Sequence, residues 1–195
     1  FRSGYSCTVA VRGRSKGGIA MSKIMKNIWS LPRYKREWHN ICALLPAYLP
    51  DGCNGSMILY EDGSEEEVNY RLSWVIDDLL AYKRSSKAIL QEQSDRLLEE
   101  LEKAKRQRLP LLLTQDVCFV PVKARRPRSR THCADGYVVL SKVKAFSEQK
   151  EKNGCKIKFT NQLEIEVLDS VRTLRGNIAL AAEMTAYLRE EHTSA

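Results

Sequence analysis

Apolar residues along this chain follow two rhythms, and the switch from one to the other happens twice. Ser56–Tyr60 and Glu66–Leu72 alternate at period two around Glu61-Asp62-Gly63-Ser64. The Asp-Gly pair supplies the positive φ of a tight turn, so a hairpin is expected there. From Trp74 to Tyr82 the spacing becomes helical, with Val75, Ile76, Leu79 and Leu80 on one face. The order then returns. Cys155–Thr160 and Glu164–Leu168 predict a second hairpin around Asn161-Gln162. Asp169 or Ser170 can cap a helix running to about Glu191, with Leu174, Ile178, Ala181, Ala182 and Leu188 as its apolar positions. The two stretches align without gaps: Ile58 with Ile157, Tyr60 with Phe159, Asp62 with Asn161, Glu65 with Glu164, Val68 with Val167, Val75 with Leu174 and Leu79 with Ile178.

Other segments fill in the frame. Arg33–Leu45 reads as a helix stopped by Pro46. Ser86–Arg108 carries a stripe of Leu90, Leu97, Leu98, Leu101 and Ala104 and a basic tail, so a long amphipathic helix is expected, ended by Pro110. Val117–Val122 and Gly136–Ala145 predict strands, and Phe146–Gly154 a polar turn. The fold class is α+β: two antiparallel β-hairpin-plus-helix units, related as an internal duplication, with a central long amphipathic helix. The expected divisions are residues 1–20, an N-terminal α+β half at 21–108 and a β-rich C-terminal half at 109–195.

Composition narrows the function classes. No apolar run reaches membrane-span length, and no segment has signal-peptide layout, which predicts a cytoplasmic protein. Six spread cysteines without a CxxC pair predict reduced thiols packed as small apolar side chains. The net charge of +8 is unevenly spread: residues 1–36 hold nine Lys or Arg and no acid, whereas Glu61–Glu67 holds five acids. That segregation favours an acidic partner, nucleic acid before membrane. Lys16-Gly17-Gly18 ahead of Met21 is compatible with a ribosome-binding sequence in the gene, so residues 1–20 are expected to be a translated leader or a basic arm. Setting aside Arg2, Arg12, Arg14 and Lys16 takes the charge from +8 to +4, which moves the weight of the argument to one local segment.

That segment lies between the Val117–Val122 and Gly136–Ala145 strands. It holds Lys123, Arg125, Arg126, Arg128 and Arg130, with no acid between Val122 and Thr131. Five crowded cations repel one another until a polyanion neutralises them and releases its counterions. Arg125, Arg126, Arg128 and Arg130 are candidates for a narrow minor groove, and Lys123, Lys142 and Lys144 for flanking phosphates. A solvated surface loop is the plain alternative. Catalysis has little support: the adjacent His132 and Cys133 point to opposite sides of an extended segment. His39, Cys42 and Cys53 match no common zinc spacing. Neither a P-loop nor a dinucleotide glycine pattern is present, so no enzyme activity, metal or cofactor is expected.

From about Pro110 onward the chain resembles the bacterial competence transcription factor ComK family. The resemblance is carried by PLLL (110–113), CFVPV (118–122), the basic linker ending at Cys133, YVVLSKVK (137–144), KIKFTNQLEIEV (156–167), and Ser170 with the helix to Leu188. Gln162 stands where the family has a turn glycine. The resemblance implies a DNA-binding transcriptional activator of the nucleoid, acting as a homo-oligomer on paired A/T-rich boxes of double-stranded DNA through the minor groove, with a regulatory protein as a further partner. The competing expectation is a protein-interaction adaptor that uses the acidic hairpin and the leucine-striped helix, with the acids able to mask the basic loop.

Overall fold

The computed structural model describes residues 31–103, 108–149 and 154–193. The expected leader or arm at 1–20 lies outside the described residues, as does Ala104 of the leucine stripe.

The α+β reading holds. The chain runs through a single turn α1 (Arg33–Arg36), a 3-10 turn (Trp38–Asn40), strands β1 (Ile41–Tyr48), β2 (Asn54–Tyr60) and β3 (Glu65–Val68), and helices α2 (Leu72–Tyr82) and α3 (Lys87–Glu100). Next come β4 (Leu111–Leu112), β5 (Cys118–Lys123), β6 (Asp135–Val139), a second 3-10 turn (Leu140–Lys142), β7 (Val143–Gln149), β8 (Gly154–Phe159), β9 (Glu164–Val167) and α4 (Val171–Thr193). A six-stranded antiparallel sheet has the order β3-β2-β1-β6-β5-β4, and a three-stranded one β7-β8-β9. The larger sheet draws strands from both sides of residue 108.

The two hairpin-plus-helix units are geometric repeats. In the first hairpin Ser56 faces Val68 and Leu59 faces Glu65; in the second, Cys155 faces Val167 and Lys158 faces Glu164, the same register shifted by the alignment offset. The likeness extends upstream of what the alignment covers. Each unit begins with a 3-10 turn, and its first strand carries a register break, between Ile41 and Ala43 in β1 and between Val143 and Ala145 in β7. The turn bonds match as well: Glu61 N–H donates to the Asn40 carbonyl at 2.8 Å, and Thr160 N–H to that of Lys142 at 2.9 Å. Gly55 and Gly154 occupy equivalent places, and a Cβ on either would run into the carbonyl oxygen of Val68 or Val167. The two hairpin turns touch, since Asn161 Nδ2 donates to the carbonyls of Tyr60 (3.1 Å) and Glu61 (3.0 Å).

The six-stranded sheet is covered on both faces. One face, with Leu44, Ile58, Tyr60, Phe119 and Val139, packs with Leu72, Val75, Ile76, Leu79 and Leu80 of α2. The other, with Leu59, Cys118, Val120, Val122 and Val138, joins one core with Ile157, Phe159, Val167 and Leu174, Leu180, Ala181 and Met184 of α4. Strands buried on both faces read as continuous apolar runs. This explains a correction: Arg33–Leu45 is not a helix. Only Arg33–Arg36 is α-helical, a 3-10 turn follows, and Ile-Cys-Ala-Leu-Leu begins a central strand that contains Pro46. β6 pairs only with Ala43 and Leu44 of β1, so Pro46 lies past that pairing and its missing N–H costs no bond to β6.

Two further boundaries differ from expectation. The predicted strand Gly136–Ala145 is split by the 3-10 turn at Leu140–Lys142, where the chain leaves one sheet for the other. Part of the predicted polar turn is then strand β7. The long helix stops at Glu100, well short of Arg108. Glu102 takes φ +53° and the Lys103 N–H returns to the Leu98 carbonyl at 2.8 Å, a left-handed helix stop without glycine. Ser94 on this helix is buried and donates to the Pro110 carbonyl at 2.6 Å, which ties α3 to the start of the edge strand β4. Among the described residues no helix is long and apolar enough to cross a membrane.

Candidate nucleic-acid interface

The basic segment is the connection between neighbouring strands β5 and β6, and its base is a defined turn. Ala124 N–H and Arg125 N–H both reach the Ala134 carbonyl, at 2.9 and 3.2 Å, and His132 N–H donates to the Ser129 carbonyl at 3.0 Å. Tyr48, at the end of β1, organises the rest. Its hydroxyl oxygen accepts the Arg128 backbone N–H at 2.7 Å and lies 2.9 Å from His132 Nδ1. The guanidinium carbons of Arg125 and Arg128 lie 3.9 and 4.1 Å from the Tyr48 ring centroid. Cation–π contacts of this kind contribute about 0.5–1 kcal/mol each at exposed sites.

The predicted site residues therefore divide. Arg125 is a strut, not a reader. Its Nε donates to the Cys133 carbonyl at 3.0 Å, its Nη2 donates to Asn54 Oδ1, and its Nη1 is buried. Burial lowers its pKa from the ordinary arginine value. Arg126, Arg128 and Arg130 are exposed, and none faces a carboxylate among the described residues. Lys123 roots the loop with its side chain exposed. Its peptide is clamped by the second unit: its N–H donates to Asp169 Oδ2 at 2.5 Å and its carbonyl accepts from Leu168 N–H at 2.7 Å.

Lys142 and Lys144 are not brought to this loop. Lys142 pairs with Glu61 at 2.6 Å, beside the acidic turn at the far end of β2, whereas Asn54 at the near end touches Arg125. A strand of this length separates the two ends by roughly 20 Å. Lys144 is exposed in the register break of β7, in the other sheet. The same separation removes the acidic turn as a mask for the loop. Asp62 pairs with Arg33 at 2.7 Å, and the Tyr60 hydroxyl donates to Glu66. The leucine stripe is spoken for too: Leu90, Leu97 and Leu98 are buried in the chain's own cores.

Sequence reasoning missed Tyr48, Asn54 and His132, the residues that shape the loop. Tyr48 and Asn54 meet it only because β1 neighbours β6 and β2 neighbours β1 in the sheet, and a connection across the sheet leaves no local signal; His132 belongs to the loop itself. Beside the loop lies an open groove of about 440 Å³, lined by Cys53, Asn54, Asn69, Tyr70, Arg71, Thr131 and His132. No family model, no curated protein and no solved structure matches this chain.

Proposed function

We propose that this chain is a DNA-binding transcriptional regulator that contacts A/T-rich duplex through the β5–β6 loop. One observation carries the reading: Arg126, Arg128 and Arg130 project from a structurally braced loop with no acid to neutralise them among the described residues. A solvated salt-bridged loop would hold carboxylates within reach, and an incidental one would lack the bracing by Tyr48, Arg125 and Asn54. Bracing lowers the ordering cost at binding. Arginine forks suit both phosphates and the narrow, strongly negative minor groove of A/T tracts. The resemblance to the ComK family points the same way, to a competence-type activator working as an oligomer on duplex DNA. In this reading the phosphate role, expected of Lys123, Lys142 and Lys144, narrows to Lys123 at the root of the loop.

The test is titration of labelled A/T-rich and G/C-rich duplexes across a salt series, with wild type beside an Arg126→Ala/Arg128→Ala/Arg130→Ala variant. Wild type is expected to prefer A/T duplex. The variant is expected to bind more weakly, with a log–log salt slope shallower by about 0.9 for each cation that leaves the DNA surface. Equal affinity and equal slope for the two proteins would remove the loop from the DNA surface and the function with it.

A further inference from the structure

At the Tyr70 edge of the groove beside the loop stands a feature that the fold does not require. Tyr70 and Trp74 stack with ring centroids 4.2 Å apart and planes 30° from parallel, yet they remain 54% and 45% exposed. Each ring covers part of the other, and about half of each pair member still faces solvent. Exposed paired aromatics beside a cationic loop call for an occupant.

The second repeat shows what the fold alone needs at this place. The positions equivalent to Tyr70, Arg71 and Trp74 are Asp169, Ser170 and Thr173. Those three are structural: Asp169 is buried and ion-paired, and the Ser170 hydroxyl oxygen accepts the Thr173 N–H at 3.1 Å as a helix cap. In the first repeat the cap position is Arg71, which makes no side-chain capping bond. The first unit thus gives up the cap and sets an arginine and two aromatic rings on its surface.

The lining suits an anionic, ring-bearing ligand. Among the described residues no carboxylate lines the groove; Arg71, the amides of Asn54 and Asn69, and His132 do. Thr131 and His132 follow directly on Arg130, so the groove adjoins the cationic loop. Aromatic side chains next to phosphate-binding cations take up unstacked bases, whose π-faces continue the stack. T-A steps in A/T-rich duplex open readily.

We propose that the Tyr70–Trp74 stack is the base-stacking platform of the same DNA surface, with Arg71 and the loop arginines holding the flanking phosphates. The inference rests on the DNA-binding reading above. It is tested by following tryptophan fluorescence while titrating A/T-rich duplex, fully paired or carrying one unpaired thymine, into the full chain and its Trp74→Phe, Trp74→Ala and Tyr82→Ala variants. Circular dichroism checks that each variant folds. Base stacking on Trp74 quenches a signal that Trp74→Phe lacks, and the unpaired thymine deepens the quench. Trp74→Ala is expected to weaken binding by about 5- to 150-fold. Tyr82→Ala, an exposed aromatic that neither lines the groove nor stacks on a ring that does, leaves binding unchanged.

Salt-dependent DNA binding with no Trp74 quench and an unaffected Trp74→Ala variant would overturn the platform and leave the loop reading intact. No DNA binding by wild type would end both. Self-association that Trp74→Ala abolishes, with DNA affinity unchanged, would assign the face to a second copy of the chain and overturn the proposal.

Discussion

Replacing Asp169 with alanine removes the carboxylate that joins three parts of the chain. Its Oδ1 takes the Arg108 Nη2 at 2.6 Å and its Oδ2 the Lys123 backbone N–H at 2.5 Å, with the side chain only 3% exposed. The truncation leaves the Lys123 N–H at a sheet end without that acceptor, a cost of about 1–3 kcal/mol. It also cuts a charge-assisted bond. Arg108 keeps Asp135 at 3.2 Å and is 28% exposed, so it relaxes toward solvent and the loss stays below the 3–5 kcal/mol of a fully buried broken pair. The expected total is about 2–4 kcal/mol, read from urea unfolding as a lower midpoint at unchanged slope. In a chain of this size that corresponds to roughly 4–16 °C in melting temperature. Arg108→Ala is also expected to destabilise, because it strands a buried carboxylate. The double variant should then cost less than the sum of the two, by about 0.5–3 kcal/mol. A loss under about 0.5 kcal/mol for Asp169→Ala, or strict additivity with Arg108→Ala, would refute the reasoning.

Two other outcomes follow from the repeat turns. Gln162 takes φ +72° where the first unit has Gly63 at +86°, so Gln162→Gly relieves left-handed strain of about 1–2 kcal/mol. Glycine gives back about 0.5–1 kcal/mol in unfolded-chain entropy, leaving a net gain of about 0.5–1 kcal/mol in urea unfolding; a lower midpoint would contradict it. The Asp62 carboxylate accepts from the Ser64 hydroxyl and backbone N–H and from Arg33, which together hold its pKa down from 3.8 to about 2. Because the folded value lies below the unfolded one, its contribution is complete above about pH 4 and is lost as pH falls through about 2. The melting difference between wild type and Asp62→Asn should therefore be constant above that range and shrink toward pH 2. A difference independent of pH would show that the charge is irrelevant.

Legibility in the sequence followed how locally each feature is determined. The second hairpin and the helix after each hairpin were readable because one face of each is apolar and the other polar, and the first hairpin was readable from its Asp-Gly turn and the charged β3. In β8 and β9 Cys155, Ile157, Ile165 and Val167 are buried while Lys156 and Glu164 pair outside at 3.0 Å. β1 was misread because burial on both faces erases the alternation that identifies a strand. The 3-10 break at Leu140–Lys142 was invisible because β-branched residues flank it on both sides, Val138 and Val139 before and Val143 after, across a change of sheet. The loop was legible as a run of like charge, but the division of labour within it was not. What makes Arg125 a strut and Arg126 a free cation is the position of Tyr48, some eighty residues upstream, on a neighbouring strand.

The repeats separate what the shared scaffold needs from what differs between its two copies. Registers, strand breaks, turn bonds and the crowded glycines Gly55 and Gly154 coincide between the units, so these are what the β-β-β-α scaffold demands. The units part company at their helix entrances. In the second, Asp169 and Ser170 spend their polar atoms inward, on Arg108, on the Lys123 peptide and on the first turn of α4. In the first, Tyr70, Arg71 and Trp74 leave theirs outward, beside the loop whose root that same Asp169 clamps. One copy supplies the anchor and the other the exposed chemistry, so the cationic loop stands between a unit that holds it and a unit that extends its surface.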